Sequence, residues 1–390
     1  MNIRQFRADE FDKNMALSEY AFQARLTEEQ REAIRERFKP EDSWGIFQGE
    51  DLQAKLTIIP LETYIHGQTF QMGGIAGVAT WPEKRRGGMV SRLLVHALEE
   101  MKRAGRTISF LHPFSFPFYR KFGWEIYTEY RKYTIPAEKF PRKTVEEGEI
   151  RRDIRDIAVF SSIYDVYARR YNGTLARSES WWKERVFRDQ RYTAVYYNGS
   201  DVPEGYVLYK IENRELLCSE LVFTTERARR GLWTYLANHD SMVERGIFTD
   251  VPMDDAMPYL LQDPRVQQEI IPYFMGRIVD ASAFWSQYPF LPAAEDTRFT
   301  LALTDPYAPW NEGVWEIAIS SGGQGSWRPS TVEAEKADLT CDIQALSAMM
   351  IGYRDPIYLL TWEKLQGSSS IAATWAARLP QATTHLMDHF

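Results

Sequence analysis

Between residues 89 and 103 the apolar positions recur at helical spacing. Met89, Leu93, Leu94, Ala97, Leu98 and Met101 fall on one face, and His96, Glu99, Lys102 and Arg103 on the other. Gly105 follows, a residue suited to the left-handed conformation that stops a helix. Short apolar runs at 75–81 and 108–111 flank this helix and read as strands. Pro82 ends the first of them, since it has no N–H to give to a ladder. Strand, glycine turn, amphipathic helix and strand make one βαβ unit with a parallel pair. Upstream, residues 30–37 read as helix, and 53–59 and 67–72 as further strands around turn residues.

The pattern repeats. Leu221-Val222-Phe223-Thr224-Thr225-Glu226-Arg227-Ala228-Arg229-Arg230-Gly231-Leu232 runs parallel to the stretch from Val78 to Met89, each passing from an apolar strand through a charged turn to a glycine and a helix. Leu236 falls where Leu93 does, and Gly246 follows the second helix as Gly105 follows the first. A duplicated βαβ domain is the reading. The last third differs: residues 286–390 hold 6 Lys+Arg and 12 Asp+Glu, against 41 and 42 in the first 285. It is entered through Tyr288-Pro289-Phe290-Leu291-Pro292, a Pro-rich linker sequence.

Composition narrows the function classes. The chain has 390 residues, too many for one ordinary core, with 44% hydrophobic and 26% charged residues, an ordinary globular mixture. A net charge of −7 leaves no basic excess for a phosphate backbone, so a nucleic-acid partner is not expected. Aromatics at 14% suit broad cores and apolar pockets. Cys218 and Cys341 have neither disulfide nor zinc spacing, which points to a reducing compartment and no metal. The first residues carry no apolar signal region, and no run approaches the ~18 apolar residues of a bilayer span. A soluble, cytoplasmic protein without a membrane partner is expected.

The chemistry concentrates at Trp81-Pro82-Glu83-Lys84-Arg85-Arg86-Gly87-Gly88-Met89-Val90-Ser91. The first N–H groups of a helix have no internal partners, and the helix dipole adds positive character there. Glycine lets an anion approach the backbone, and Arg85 and Arg86 add ionic contacts. The segment is neither a P-loop nor a Gly-x-Gly-x-x-Gly turn. On these residues alone, an anion site and a plain cationic turn are both open readings.

Pro82-x-x-Arg85-x-x-Gly88-x-Val90, after a strand and before a helix, resembles the acyl-CoA loop of the GNAT N-acetyltransferases, Arg/Gln-x-x-Gly-x-Gly/Ala. Val90 departs at the last position. With Gly74-Ile75-Ala76-Gly77-Val78-Ala79-Thr80 before it and Phe118-Tyr119-Arg120-Lys121-Phe122-Gly123-Trp124 after it, the order is similar to that of the enhanced intracellular survival (Eis) family of N-acetyltransferases. The resemblance implies an α/β (α+β) chain of three parts. These are a catalytic GNAT domain (1–145), a degenerate second GNAT domain (146–285), both with mixed sheets, and a sterol-carrier-protein-like α+β domain (286–390). It implies acetyl-CoA as co-substrate. Val78, Ala79 and Thr80 would offer backbone groups to the pantetheine arm, and Arg85, Arg86, Gly87, Gly88, Met89, Val90 and Ser91 would hold the pyrophosphate. Phe114 and Ser115 would form the other wall.

The resemblance further implies Tyr119 as general acid, since a departing thiolate needs a proton and a phenol of pKa near 10 can give one. It implies the terminal carboxylate of Phe390 as general base; an α-carboxyl with a pKa of roughly 3.5 is ionised at pH 7. His112 reads equally as a proton relay or a structural histidine and stays outside the catalytic set. Ala228 at the place of Arg85, Thr225 at that of Pro82 and Arg230 at that of Gly87 leave the second copy without a site. The expected reaction is direct acetyl transfer to a primary amine (aminoglycoside, polyamine or lysine-like) in a ternary complex, by a homo-oligomer that is hexameric in the family. Two other readings stand: a tandem-GNAT aminoacyl- or long-chain acyl-transferase, and a non-catalytic CoA- or apolar-ligand-binding regulator. In the latter, Trp310, Trp315, Trp327, Trp362 and Trp375 would hold an apolar molecule.

Overall fold

The computed structural model describes residues 2–188 and 191–390. Its first sheet begins with β1 (Asn2–Gln5), followed by helices α1 (Phe11–Phe22) and α2 (Glu28–Arg35). Then come β2 (Ser43–Gln48), β3 (Asp51–Ile65), β4 (Gln68–Thr80), helix α3 (Met89–Arg103), β5 (Ile108–Leu111), the short helix α4 (Phe116–Arg120) and β6 (Glu125–Ile126). The apolar stripe read from the sequence is the buried face of α3, and Gly105 follows it with φ +72°.

The stretch read as two strands, 67–72 and 75–81, is the single strand β4. Gly73 and Gly74 do not break it; they let both of its faces be packed. A Cβ on Gly73 would lie 2.8 Å from Met101 Cγ of α3, and one on Gly74 would lie 2.7 Å from the Phe390 ring on the opposite face. Phe390 is therefore seated on the first sheet.

The second sheet contains β7 (Glu129–Pro136), β8 (Gly148–Arg152), β9 (Tyr192–Asn198), β10 (Pro203–Glu212), β11 (Glu215–Phe223), β12 (Arg245–Val251) and β13 (Gln267–Pro272). Helix α5 (Ile157–Ala168) follows β8, and α6 (Glu226–Ala237) joins β11 to β12. Strand β14 (Met275–Ile278) then returns to the first sheet, between β5 and β6, giving the order β1-β2-β3-β4-β5-β14-β6. The two sheets thus exchange chain at 129–136 and 275–278, which ties the domains together by ladder hydrogen bonds.

The third part opens with α7 (Ala281–Gln287) and has a five-stranded sheet: β15 (Thr297–Thr304), β16 (Gly313–Ile319), β17 (Gly325–Pro329), β18 (Leu339–Asp342) and β19 (Leu365–Gly367). The buried helix α8 (Ile343–Ile351) packs on β14 and β6, and α9 (Ser369–Ala376) closes the fold. The 288–292 stretch is no loose linker, because Tyr288 and Phe290 are buried against Phe284 and Trp285. Among the described residues, four of the five tryptophans have packing or hydrogen-bond partners in the hydrophobic core. Trp375 is fully buried against Trp285 and Phe299, Trp327 packs between Trp285 and Trp315, and Trp310 donates to Val279 O. Trp362 is 53% exposed. Among the described residues no helix is long and apolar enough to cross a membrane, and no His/Cys/Asp/Glu group could hold a metal ion.

One buried charge in the first domain carries a stability prediction. Lys55 Nζ on β3 donates to Asn14 O at 3.0 Å and to the side chains of Asn14 and Ser18 on α1. Burial lowers its pKa to about 7. Between there and the ordinary value near 10.5, the unfolded chain binds a proton that the folded chain lacks, so stability rises with pH across that window. Urea unfolding at stepwise pH should show wild type gaining on Lys55→Met by ~1.4 kcal/mol per pH unit. A pH-independent difference would contradict this.

Candidate active site

Strands β4 and β5 run parallel only over Met72–Ile75 and Ile108–Leu111, with Ile75 opposite Leu111 as the last pair. Beyond that rung they part. A bulge helps β4 to turn away: Lys55 faces Ala79 while Thr57 faces Ala76, and Gly77 takes φ +59°. The parting opens a cleft of about 730 Å³. Val78, Ala79 and Thr80 form one wall; Phe114, 70% exposed, and Phe118 form the other. Arg85, Arg86, Gly88, Met89, Val90 and Ser91 form the floor at the start of α3.

That floor is built for an anion. Gly88 is the N-cap of α3 in the left-handed region (φ +72°), and no side chain caps the helix. The first helix-type bond runs from Arg92 N–H to Gly88 O, which leaves the N–H groups of the first turn to face outward. Arg86 also has positive φ (+64°), so the turn curls its backbone around the opening. Arg85 and Arg86 are exposed and form no ion pair among the described residues. Thr80 Oγ1 is buried in the wall without a hydrogen-bond partner. A pyrophosphate on the turn and an amide-bearing arm along β4 fit these groups.

Of the residues named from the sequence, Gly87 stands in the turn but not on the cleft wall, and Ser115 is the N-cap of α4 without a side-chain cap bond. The cleft also includes Lys84, Phe118 and, from α1, Ala21 and Phe22, which the motif did not reveal. Phe118 lay within the Phe118–Trp124 segment. Ala21 and Phe22 gave no sequence signal, because α1 reaches the cleft only through tertiary packing.

Tyr119, on α4, is 2% exposed, with its ring edge-on to Phe114 and to Phe118 at 5.2 Å each. It belongs to the core cluster on the α3 side of the sheet. Burial raises its pKa, and its hydroxyl makes no hydrogen bond among the described residues, so the phenol stays protonated.

Phe390 lies on the other face. Its ring covers Gly74, one rung before the parting, and packs on Phe274 at 4.9 Å and Trp181 at 6.2 Å. The tail that brings it there is fixed at several points. Asn172 N–H donates to Thr383 O (3.0 Å) and His385 N–H to Asn172 O (2.9 Å). The buried Asp388 carboxylate accepts from Arg177 Nε (3.0 and 3.1 Å) and Trp181 Nε1 (2.7 Å). Arg177 also donates to Glu220 (3.1 and 2.8 Å), and the Tyr273 hydroxyl donates to Asp388 O at 3.0 Å. The tail thus crosses from the third domain and ends between the first two. His112, just past β5, stands 4.8 Å from the His389 ring, and burial lowers the pKa of both.

The second domain repeats the geometry without the anion floor. Strands β11 and β12 pair in parallel over 215–218 and 245–248 and then part. Here α6 begins at once: Thr225 caps it by accepting from Ala228 N–H, and Thr225 and Arg227 both donate to Glu204. The residues aligned with the glycine turn are the first turns of a helix, Arg230 pairs with Glu146, and a carboxylate stands where an anion would bind. Gly246 follows α6 less closely than Gly105 follows α3: α6 ends at Ala237 with Asn238 as C-cap, and Gly246 lies inside β12.

Three segments match known domain families in chain order. Residues 2–127 match an acetyltransferase (GNAT) domain, 173–278 a second acetyltransferase (GNAT) domain, and 281–387 a sterol carrier protein domain. A conserved protein of unknown function and probable N-acyltransferase from Enterococcus faecalis V583 is 30% identical, with a TM-score of 0.92 over 100% of this chain and 99% of that one. Eis1 from Mycobacterium abscessus, 20% identical, shares the fold with a TM-score of 0.82 over the full length of both. An uncharacterized N-acetyltransferase of Streptomyces avermitilis is 25% identical over 85% of each chain.

Proposed function

The chain belongs to the N-acetyltransferases built from two tandem GNAT domains and a C-terminal sterol-carrier-protein-like domain, and on that premise we propose that it moves an acetyl group from acetyl-CoA directly to a primary amine at the parting of β4 and β5. The observation that carries this reading is the seat of the last residue: Phe390 covers Gly74 at the final rungs of the parallel ladder, on the face opposite the anion floor. On this reading the Phe390 carboxylate serves the acceptor side and Tyr119 the coenzyme side.

In this reading, Arg85, Arg86 and the first-turn N–H groups of α3 hold the pyrophosphate, and β4 from Val78 to Thr80 lies along the pantetheine arm. Phe114 and Phe118 form the opposite wall. The Phe390 carboxylate takes a proton from the incoming ammonium, leaving a lone pair to attack the thioester carbonyl. Carbon–nitrogen bond formation is followed by carbon–sulfur cleavage; Tyr119 gives its proton to the leaving thiolate and regains one from the second N–H of the attacking nitrogen, and Phe390 releases its proton to solvent. Both cysteines are buried, Cys218 in the second domain and Cys341 in the third, which favours direct transfer over an acyl-enzyme. The first domain (1–145) supplies the coenzyme cleft and Tyr119, the third (286–390) the tail with the base, and the second (146–285) the groove that holds it. We extend the reading to a small-molecule or lysine-like acceptor, a cytoplasmic setting and a hexameric assembly, all by family likeness.

Initial-velocity kinetics with acetyl-CoA and an amine should give intersecting double-reciprocal lines. Parallel lines, the mark of an acyl-enzyme, would overturn direct transfer. The double variant Arg85→Ala/Arg86→Ala should raise KM for acetyl-CoA by at least about 100-fold with kcat nearly unchanged, because charge-assisted contacts to phosphate are each worth ~1.5–3 kcal/mol. An unchanged KM would remove the arginines from the coenzyme site.

A further inference from the structure

The parting of β11 and β12 has lost its anion floor but kept a cavity. It has about 70 Å³ of free interior. At ~10–15 Å³ per water-sized atom, that is room for about five to seven heavy atoms. Its walls are mostly aromatic: Tyr133, Tyr167, Tyr171, Phe223, Trp233 and Phe248. Two carboxylates share them, Asp250 and Asp255. Asp250 sits at an irregularity of β12, between Phe248 and Val251, with φ +54°, a left-handed conformation. Burial raises its pKa to about 7, with Glu220 and Asp388 nearby adding to the effect and Thr249 opposing it. Asp255 is also raised by burial, though it accepts from Met257 N–H at 2.8 Å. The one guanidinium on the wall, Arg170, is exposed and donates to Thr224 O at 3.1 Å.

We propose that this cavity is a binding site for a small aliphatic ammonium ion of about five heavy atoms, separate from the acetyl-transfer cleft. A neutral apolar guest would deepen the desolvation of the Asp250 carboxylate, which only Thr249 and Arg191 offset, and an anion would meet two like charges. A cation satisfies Asp250 and lies against aromatic faces, an arrangement that strengthens when water is excluded. The cavity shares no lining residue with the β4–β5 cleft, and it reaches the catalytic tail through Met387, three residues before Phe390. An occupant therefore touches the segment that seats the chain terminus.

The test is calorimetric titration of the full chain with n-butylammonium chloride in the presence of saturating coenzyme A, with butan-1-ol as the neutral isostere. Saturable binding of the ammonium is expected, with butan-1-ol at least tenfold weaker. Asp250→Asn should weaken the ammonium at least tenfold. Because that change removes a buried charge beside other carboxylates, the variant should melt no lower than wild type. Leu221→Trp, which fills the cavity, should abolish binding. Equal affinity for the alcohol, equal affinity in Asp250→Asn, or no binding to wild type would each overturn the site. Turnover is not read, so failure of the acetyltransfer mechanism would leave this result untouched.

Discussion

Tyr119→Phe is expected to lower kcat by about 10²–10⁴-fold, the range for removal of a positioned general acid. The substitution deletes one oxygen and keeps the ring that packs against Phe114, Phe118 and Trp124. Since the hydroxyl has no hydrogen-bond partner among the described residues, the deletion breaks no internal contact, and stability should hold within ~0.5 kcal/mol. KM for acetyl-CoA should change little, because Tyr119 does not line the proposed coenzyme cleft, whose floor is the turn at Arg85–Ser91. A variant that keeps kcat within about threefold of wild type would remove Tyr119 from the proton path.

Asp388→Ala is expected to act on fold and rate together. Its carboxylate is buried, and its removal leaves the Arg177 guanidinium with Glu220 alone and Trp181 Nε1 without an acceptor. Breaking a buried pair by removing one partner costs about 3–5 kcal/mol; Glu220 remains, so the lower end applies. The same contact seats the last residues, so the rate should fall even under conditions where the variant is fully folded. Urea denaturation measures the first effect, and kcat at low temperature the second. In a double-mutant cycle, Asp388→Ala and Arg177→Met should be strongly non-additive, because each removes the other's partner. Additive losses, or full activity in a folded Asp388→Ala chain, would mean that the tail needs no such anchor.

How far the fold can be read in advance depends on whether its determinants are local. Helix α3 and its stop at Gly105 are legible because a 3.6-residue stripe and a left-handed glycine are local signals. Strand β4 reads as two pieces because Gly73-Gly74 looks like punctuation, whereas the pair exists to admit Met101 on one side and Phe390 on the other. The second repeat aligns by composition, but Thr225 followed by Glu226 is an N-cap sequence, and it starts α6 where the first domain has its turn. The exchange of β7 and β14 between sheets has no local signature at all. Within the site, the glycine turn and the Phe118–Trp124 segment mark the cleft. The salt bridge from Asp388 to Arg177 spans 211 positions and is visible only in three dimensions.

If the Phe390 carboxylate is the base, thiol release from acetyl-CoA depends on it. Free thiol should be followed with a panel of primary amines for the full chain and for a chain ending at His389. The shortened chain still ends in a carboxylate, but one residue back from Gly74 and without the ring that seats it there. Amine-dependent release by the full chain is expected, and a rate slower by ~10²-fold or more in the shortened one, the smaller end of the range for a lost general base. Equal rates in the two chains would contradict that role.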